Sequence, residues 1–485
     1  MVSTVIISFI IGYLAIVFEH PLKLDKTVPA LIMAAICWAL ISLGELPLLD
    51  HNMHPVQLDG PEHDHLLHEV LLHHIGKTAE ILIFLIGAMT IVELVDLHKG
   101  FSVITDKITT TKKSTMLWLL APLAFFLSAT LDNLACTIVV VSLLRRLVPD
   151  RQERLYFVSL AVVAANAGGA WSPIGDVTTT MLWIGEHIST QGLVLALVIP
   201  SIVCAVVPTF IMSKMPYMKG NITIPEGYTG GDDHGKEVKG SKIMLYVGLA
   251  GLVFVPIFKT VTHLPPYVGM MLSLGVVWLV SEYLHPDETF EDKHHYSAHN
   301  ALSRIEMSSI LFFLGILMAV ASLESMGVLM ELAGALDGLF AYDDGAVTAD
   351  GTPVPNRSVV VVLLGIFSAL IDNVPLVAAA MGMYSPVENP TDSQIWQFLA
   401  YSAGTGGSML IIGSAAGVAA MGMEKIDFMW YVKNIAWLAF IGFVCGAVVF
   451  LALYPMVEGL MPEPEVLQNI GSGFEHGHNH TGGGH

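Results

Sequence analysis

The chain has 485 residues, 54% of them apolar and 13% charged, with a net charge of −20 from 22 Lys and Arg against 42 Asp and Glu. Soluble domains carry about 25% charged residues, and a mean hydropathy of +0.66 excludes one of that kind. A polytopic membrane protein is expected, with membrane lipid and no nucleic acid among its partners.

Roughly 20 apolar residues cross a bilayer as a helix, and such stretches recur at 2–18, 28–49, 79–97, 192–213, 242–259, 266–284, 307–327 and 430–457. The first has no basic residue before it and no small-residue cleavage site after it, so a retained helix is expected rather than a signal peptide. Residues 51–77, HNMHPVQLDGPEHDHLLHEVLLHHIGK, hold seven of the 20 histidines, and the tail FEHGHNHTGGGH holds four more. The HEVLLH spacing is not the HExxH of a zinc helix. An exposed outer loop that titrates near neutral pH is therefore expected ahead of a metal site. His98 and His187 are weaker candidates for pH sensing, a helix-end role being the plainer reading. Cys37, Cys136, Cys204 and Cys445 lie in apolar spans without paired spacing and read as packing residues.

Cytoplasmic loops are enriched in Lys and Arg. With both termini outside, 19 of the 22 basic residues fall inside, leaving Lys77, Lys259 and Arg357 outside. This assignment requires 114–144 to enter from the cytoplasm and return to it, because Lys112, Lys113, Arg145 and Arg146 flank its two ends. SATLDN (128–133) then lies at the turn of a re-entrant hairpin. A near copy, SALIDN (368–373), sits in 358–384 between acidic, Lys-poor segments, so its hairpin should enter from outside.

The likeness extends on both sides of the hairpins. NAGGAWSPIGDVTTTML (166–182) matches GTGGSMLIIGSAAGVAAM (404–421), aligning Gly168, Gly169 and Gly175 with Gly406, Gly407 and Gly413, and IFLIGAMTIVELVD (83–96) matches LFFLGILMAVASLE (311–324). Glycines of this kind often only permit close helix packing. Two matched sets beside two matched hairpins point further, to discontinuous helices around a binding site. The expected fold is an all-α polytopic membrane protein built as an inverted-topology repeat, with about ten crossings, two re-entrant hairpins and two broken helices. Its expected divisions are N-terminal helices with the His-rich loop (1–78), a first repeat (79–213), connecting helices (214–306), a second repeat (307–457) and a polar tail (458–485).

A carboxylate inside a membrane costs about 2.5–3.5 kcal/mol on insertion scales. Asp132, Asp176 and Asp372 have no Lys or Arg in their own apolar segments, so they are expected to be unpaired. Capping a half-helix is a sound structural role for each, but Ser or Thr would cap without the charge. Together with Asn133, Asn166, Thr178, Thr179, Ser368, Asn373, Thr405 and Ser408 they supply hard oxygen ligands for an alkali cation or a proton. The second copy has Ser414, Ala416 and Gly417 where the first has Asp176, Thr178 and Thr179. Na⁺ is therefore expected mainly on Asp132, Asn133, Asp176, Thr178 and Thr179, with Asp372 a proton carrier or electrostatic support. No nucleophile–base pair or ligand set of an intramembrane enzyme is apparent, and no cofactor is expected.

The paired hairpins, NAGGAWSPIGDVTTTMLW and LIGAMTIVELVDLHKGF resemble the NhaD-type sodium/proton antiporters of the ion transporter superfamily, over about residues 75–455. The resemblance implies expulsion of Na⁺ or Li⁺ for entering H⁺ at a bacterial inner membrane. It also implies a homodimer whose transport domain, holding both hairpins and both broken helices, moves as an elevator. It carries the ion-site role onto Asp132, Asn133, Asn166, Asp176, Thr178, Thr179, Ser368, Asp372 and Asn373. If Na⁺ and H⁺ compete for the same carboxylates, exchange follows without a separate coupling device. An organic-anion or arsenite carrier of the same superfamily is the alternative, since fold alone does not choose a substrate; Asp-Asn tips would repel a carboxylate.

Overall fold

The computed structural model describes residues 1–49, 55–105, 108, 110–223, 240–284, 297–342, 355–384 and 388–461. Among these, a single two-stranded ribbon, Leu48–Leu49 against Pro55–Val56, interrupts an otherwise helical chain. The amino-terminal part is α1 (Val2–Val17), α2 (Thr27–Leu43) and α3 (Pro61–Leu97). Next come α4 (Lys113–Leu131), α5 (Asn133–Leu147), α6 (Arg151–Gly169), α7 (Val177–Ile184) and α8 (Thr190–Lys214). Two helices, α9 (Ser241–Thr262) and α10 (Pro266–Tyr283), lead to α11 (Met307–Ser325) and α12 (Val328–Phe340). The chain ends in α13 (Ser358–Phe367), α14 (Asn373–Met383), α15 (Gln394–Gly406), α16 (Ala415–Glu424) and α17 (Phe428–Leu460).

Six of these helices, α3, α4, α8, α9, α11 and α17, are long and apolar enough to cross a membrane; α1, α2, α13 and α14 are shorter apolar helices. The multi-pass membrane architecture expected from composition is thus present.

One expectation is corrected. The His-rich segment is not a loop from residue 61 onward: it is the first half of α3, a helix of 37 residues. Gly60, with φ +61, turns the chain, and Pro61 opens the helix at the position where its missing N–H costs nothing. His63 is buried with Nε2 3.1 Å from the Leu46 carbonyl, and His74 Nε2 lies 2.9 Å from Ser325 Oγ. These rings tie α3 to its neighbours, which an alternating His/Leu pattern at helical spacing permits. Among the described residues no group of three or more His, Cys, Asp or Glu is placed to hold a metal ion. Residues 51–54 and the His-rich tail from 462 lie outside the described residues.

Two runs share one order of elements. In the first, α4 and α5 meet at Asp132, then α6 and α7 are separated by a seven-residue break; in the second, α13 and α14 flank Asp372, and α15 and α16 are separated by a break at Gly407–Ser414. Each first arm lies on the helix before the break, α4 on α6 and α13 on α15. Glycine permits this approach: a Cβ on Gly168 would stand 2.0 Å from the Phe125 carbonyl oxygen, and one on Gly406 2.1 Å from that of Gly365. The runs also cross over, α5 packing on α16 and α7 on α14. Glycines chosen for close packing and glycines chosen for a site are therefore the same residues, since packing is what brings the breaks to the hairpin tips.

Candidate ion site

Four half-helices begin at the same place in the molecule, and each is capped by the residue that singles it out in the sequence. Asp132 Oδ1 accepts from Ala135 N at 2.8 Å, Asp176 Oδ1 from Thr178 N at 2.9 Å, Asp372 Oδ1 from Val374 N at 3.4 Å, and Ser414 Oγ from Gly417 N at 3.1 Å. Capping is thus real at all four positions. Helix amino termini favour negative charge, which offsets part of the cost of keeping three carboxylates here.

Asp176 is the centre. It is 2% exposed, and its Oδ2 accepts from Asn133 Nδ2 at 2.8 Å and from Asn373 Nδ2 at 3.3 Å. One amide comes from each hairpin tip. Asn133 also donates to Asn166 Oδ1 at 3.0 Å, while Asn166 Nδ2 lies 2.8 Å from both Ser408 Oγ and Ser414 Oγ. A single buried network therefore joins both tips and both breaks through Asn133, Asn166, Asp176, Asn373, Ser408 and Ser414. Asp176 interacts electrostatically with Asp132 and Asp372, which are half-buried on its two sides.

The remaining expected residues stand nearby with other duties. Thr178 is fully buried beside Asp176, and its hydroxyl makes no well-aligned hydrogen bond. Thr179 Oγ1 donates toward the Ser172 and Asp176 carbonyls at 2.8 and 2.9 Å. Ser368 donates to the Ala403 carbonyl and Thr405 to the Tyr401 carbonyl, so both hydroxyl protons are committed to the backbone. His98 and His187 are not part of the network: His98 Nδ1 lies 2.7 Å from the Leu94 carbonyl at the end of α3, and His187 packs edge-on against Trp396.

Asp372 is corrected from unpaired to paired. Lys26 Nζ donates to its Oδ2 at 2.7 Å. Lys26 precedes α2, 346 residues away in sequence, so inspection of the apolar segment around Asp372 misses it. Ser414, in sequence the neutral counterpart of Asp176, is a member of the network. The signal for it was the alignment itself, since a residue that replaces a cap in one break stands at the cap of the other.

The surrounding shell is cross-linked by charged side chains. Glu424, at the end of α16 and 2% exposed along its side chain, accepts from Arg145 Nε at 2.7 Å and Arg154 Nε at 2.9 Å. Arg151 donates to the carbonyls of Glu424 and Lys425, and Arg145 also to that of Met423. These arginines lie at the end of α5 and the start of α6, so the second break is fastened to the first hairpin. On another side, a cavity of about 410 Å³ opens between α3 and α11 and the block holding α7 and α14, with Lys77, His74, His187, Glu324 and Tyr384 on its wall.

The chain is similar to known transport proteins. The family described as citrate transporter, CitMHS, matches residues 13–397. Sodium/proton antiporter 1 of Arabidopsis thaliana is 45% identical over 92% of the chain and 71% of the relative's length, and sodium/proton antiporter 2 of the same plant is 42% identical over 92% and 98%. The Na⁺/H⁺ antiporter NhaD of Vibrio cholerae is 27% identical over 92% of the chain and 91% of its own length.

Proposed function

Because the chain belongs to the CitMHS transporter family, with the sodium/proton antiporters as relatives along nine-tenths of its length, we propose that it exchanges Na⁺ for H⁺ across a membrane. It is a secondary transporter rather than an enzyme. The observation that carries this reading is Asp176: a fully enclosed carboxylate whose side-chain partners are two neutral amides and a backbone N–H. Burying such a group without a counter-charge is costly, and a proton or a cation at its oxygens lowers that cost. Both cannot occupy one oxygen at once, so loading of either expels the other.

Asp132, Asn133, Asp176, Thr178 and Thr179 supply oxygens for Na⁺ or Li⁺ in this reading, with Asn166, Ser368, Asn373, Thr405 and Ser408 supporting from the second side. Asp372 carries the proton or balances charge. Residues 79–213 and 307–457 act as two repeats of opposite orientation, and both hairpins with both broken helices move together against α1, α2, α3 and α11. The cavity between those two groups gives such an elevator motion room at one end. A homodimer, termini outside and a bacterial inner membrane complete the reading. The topology has its own test: cysteines at 112 and 146 should react only from the cytoplasm, and one at the exposed position 388, beside Asn389, only from outside.

The citrate-transporter description of the family favours a second reading, a tricarboxylate or dicarboxylate carrier. Three acids at one site oppose it. Dye-monitored ΔpH in everted vesicles, with Na⁺, Li⁺, K⁺, citrate and a dicarboxylate added in turn, separates the two. Collapse of ΔpH by Na⁺ or Li⁺ alone is expected; collapse by citrate alone would replace this proposal with the second.

A further inference from the structure

Among the described residues the Lys26–Asp372 pair has no counterpart at Asp132. Lys26 sits directly before α2, where a cation meets the positive end of the helix dipole and is disfavoured. Its placement is set instead from across the molecule. The ammonium lies 2.7 Å from Asp372 Oδ2 and 4.4 Å from the centre of the Phe312 ring, with Glu19 and Glu306 adding negative potential. Thr27 Oγ1 donates to the Ser308 carbonyl, and Trp38 Nε1 to that of Met318, so α2 is fastened along α11. Asp372, by contrast, begins α14, one of the half-helices that meet at Asp176. The pair therefore bridges the two groups of helices that the proposed transport motion separates. It lies near the Ser308 end of α11, while the open cavity lies near the Glu324 end.

A lysine ammonium carries the same unit charge as Na⁺, and the Asp372 carboxylate it holds interacts electrostatically with Asp176. We propose that Lys26 is a tethered competitor of the transported cation: its ammonium holds Asp372, and the pair opens when the second hairpin tip takes up a free cation or a proton. Lys26 is then a residue that sets cation affinity and times release of the moving helices. This rests on the exchange reading above.

The test uses the purified full-length protein in detergent, with Na⁺ and Li⁺ affinity read from ligand-dependent thermal stabilisation. Lys26→Gln removes the competing charge from both Asp372 and the Phe312 ring face, so the apparent Kd for Na⁺ should fall about fivefold, the scale of a partly exposed ion pair. Lys26→Arg grips the carboxylate at two points, so the Kd should rise. In an Asp372→Asn background Lys26→Gln should leave the Kd unmoved, because the two residues act as a pair. A merely structural tie would lower the unfolding midpoint of Lys26→Gln without changing its Na⁺ dependence, and that result overturns the proposal. So does a shift in the same direction for Gln and Arg, or a full gain in the Asp372→Asn background. If Lys26→Gln does not fold, Lys26→Arg decides, an unchanged or lower Kd counting against the proposal. Wild-type protein that neither binds Na⁺ nor exchanges it sinks both readings; wild-type exchange with unmoved variant affinities sinks this one alone.

Discussion

The first and second hairpin tips carry nearly the same six letters and meet the same buried network, yet they differ in charge and in backbone. Asp132 takes φ +81 with ψ 161, a conformation costly for any residue with a Cβ, and its caps are backbone only. Asp372 has an ordinary φ of −47 and a lysine on its outer oxygen. The breaks differ in the same sense, with Asp176 in the first and Ser414 in the second. Similar scaffolding has been given unequal chemistry: the matched glycines pack alike and every half-helix is capped, but among the described residues the carboxylates without an ion-pair partner, Asp132 and Asp176, both lie in the first half.

The largest expected effect breaks the comparison at its centre. Asp176→Asn can keep the cap at Oδ1, but it removes the charge and puts an NH2 donor where Asn133 and Asn373 need an acceptor. The apparent KM for Na⁺ and Li⁺ should rise roughly 100-fold or more, since removing one partner of a buried charge pairing costs about 3–5 kcal/mol. Vesicle exchange assays over a range of Na⁺ concentrations read this directly. A rise under about threefold would remove Asp176 from the ion's coordination.

Next in size is the clamp that holds the halves in register. Glu424→Ala leaves Arg154 without its carboxylate in a largely buried place, at a cost of about 3 kcal/mol, and frees α16 from α5 and α6. Thermal unfolding in detergent should show a clearly lower midpoint, with Na⁺ affinity lost alongside. An unchanged midpoint would mean that the α5–α16 packing alone fixes the second break.

The matched glycines sharpen the claim that scaffolding is equal. Gly168→Ala and Gly406→Ala each drive a Cβ into a carbonyl oxygen, at 2.0 and 2.1 Å, so each should destabilise by about 1–3 kcal/mol. The two midpoints should fall by similar amounts. A fall in only one would show that the two arms are not packed alike under load.

The smallest effect belongs to Ser414→Ala. It deletes the cap to Gly417 and one of the two hydroxyls at Asn166 Nδ2, the other remaining on Ser408. A lost cap costs about 1 kcal/mol, and the KM for Na⁺ should change less than about threefold. If Ser414→Ala damages Na⁺ affinity as much as Asp176→Asn, the halves share the ion.

The sequence by itself determined the membrane class, the helix boundaries at 190–214, 241–262 and 307–325 to within a few residues, and three of the four half-helix caps, Asp132, Asp176 and Asp372. These follow from local rules: apolar length, and Asp, Ser and Gly where a helix must stop or start. It also placed Asp176, Asn133 and Asn373 among the site residues, because polar groups inside apolar runs are rare. Only the tertiary structure decided that both amides converge on one Asp176 oxygen, that Ser414 belongs with them, and that Lys26 covers Asp372. It likewise decided that histidines 63 and 74 serve a long helix rather than a loop. The physical reason is range. A cap or a span is set by neighbours within a turn or two, whereas an ion pair between residues 346 positions apart depends on how α2, α11 and α14 pack, and on no pattern that either segment carries alone.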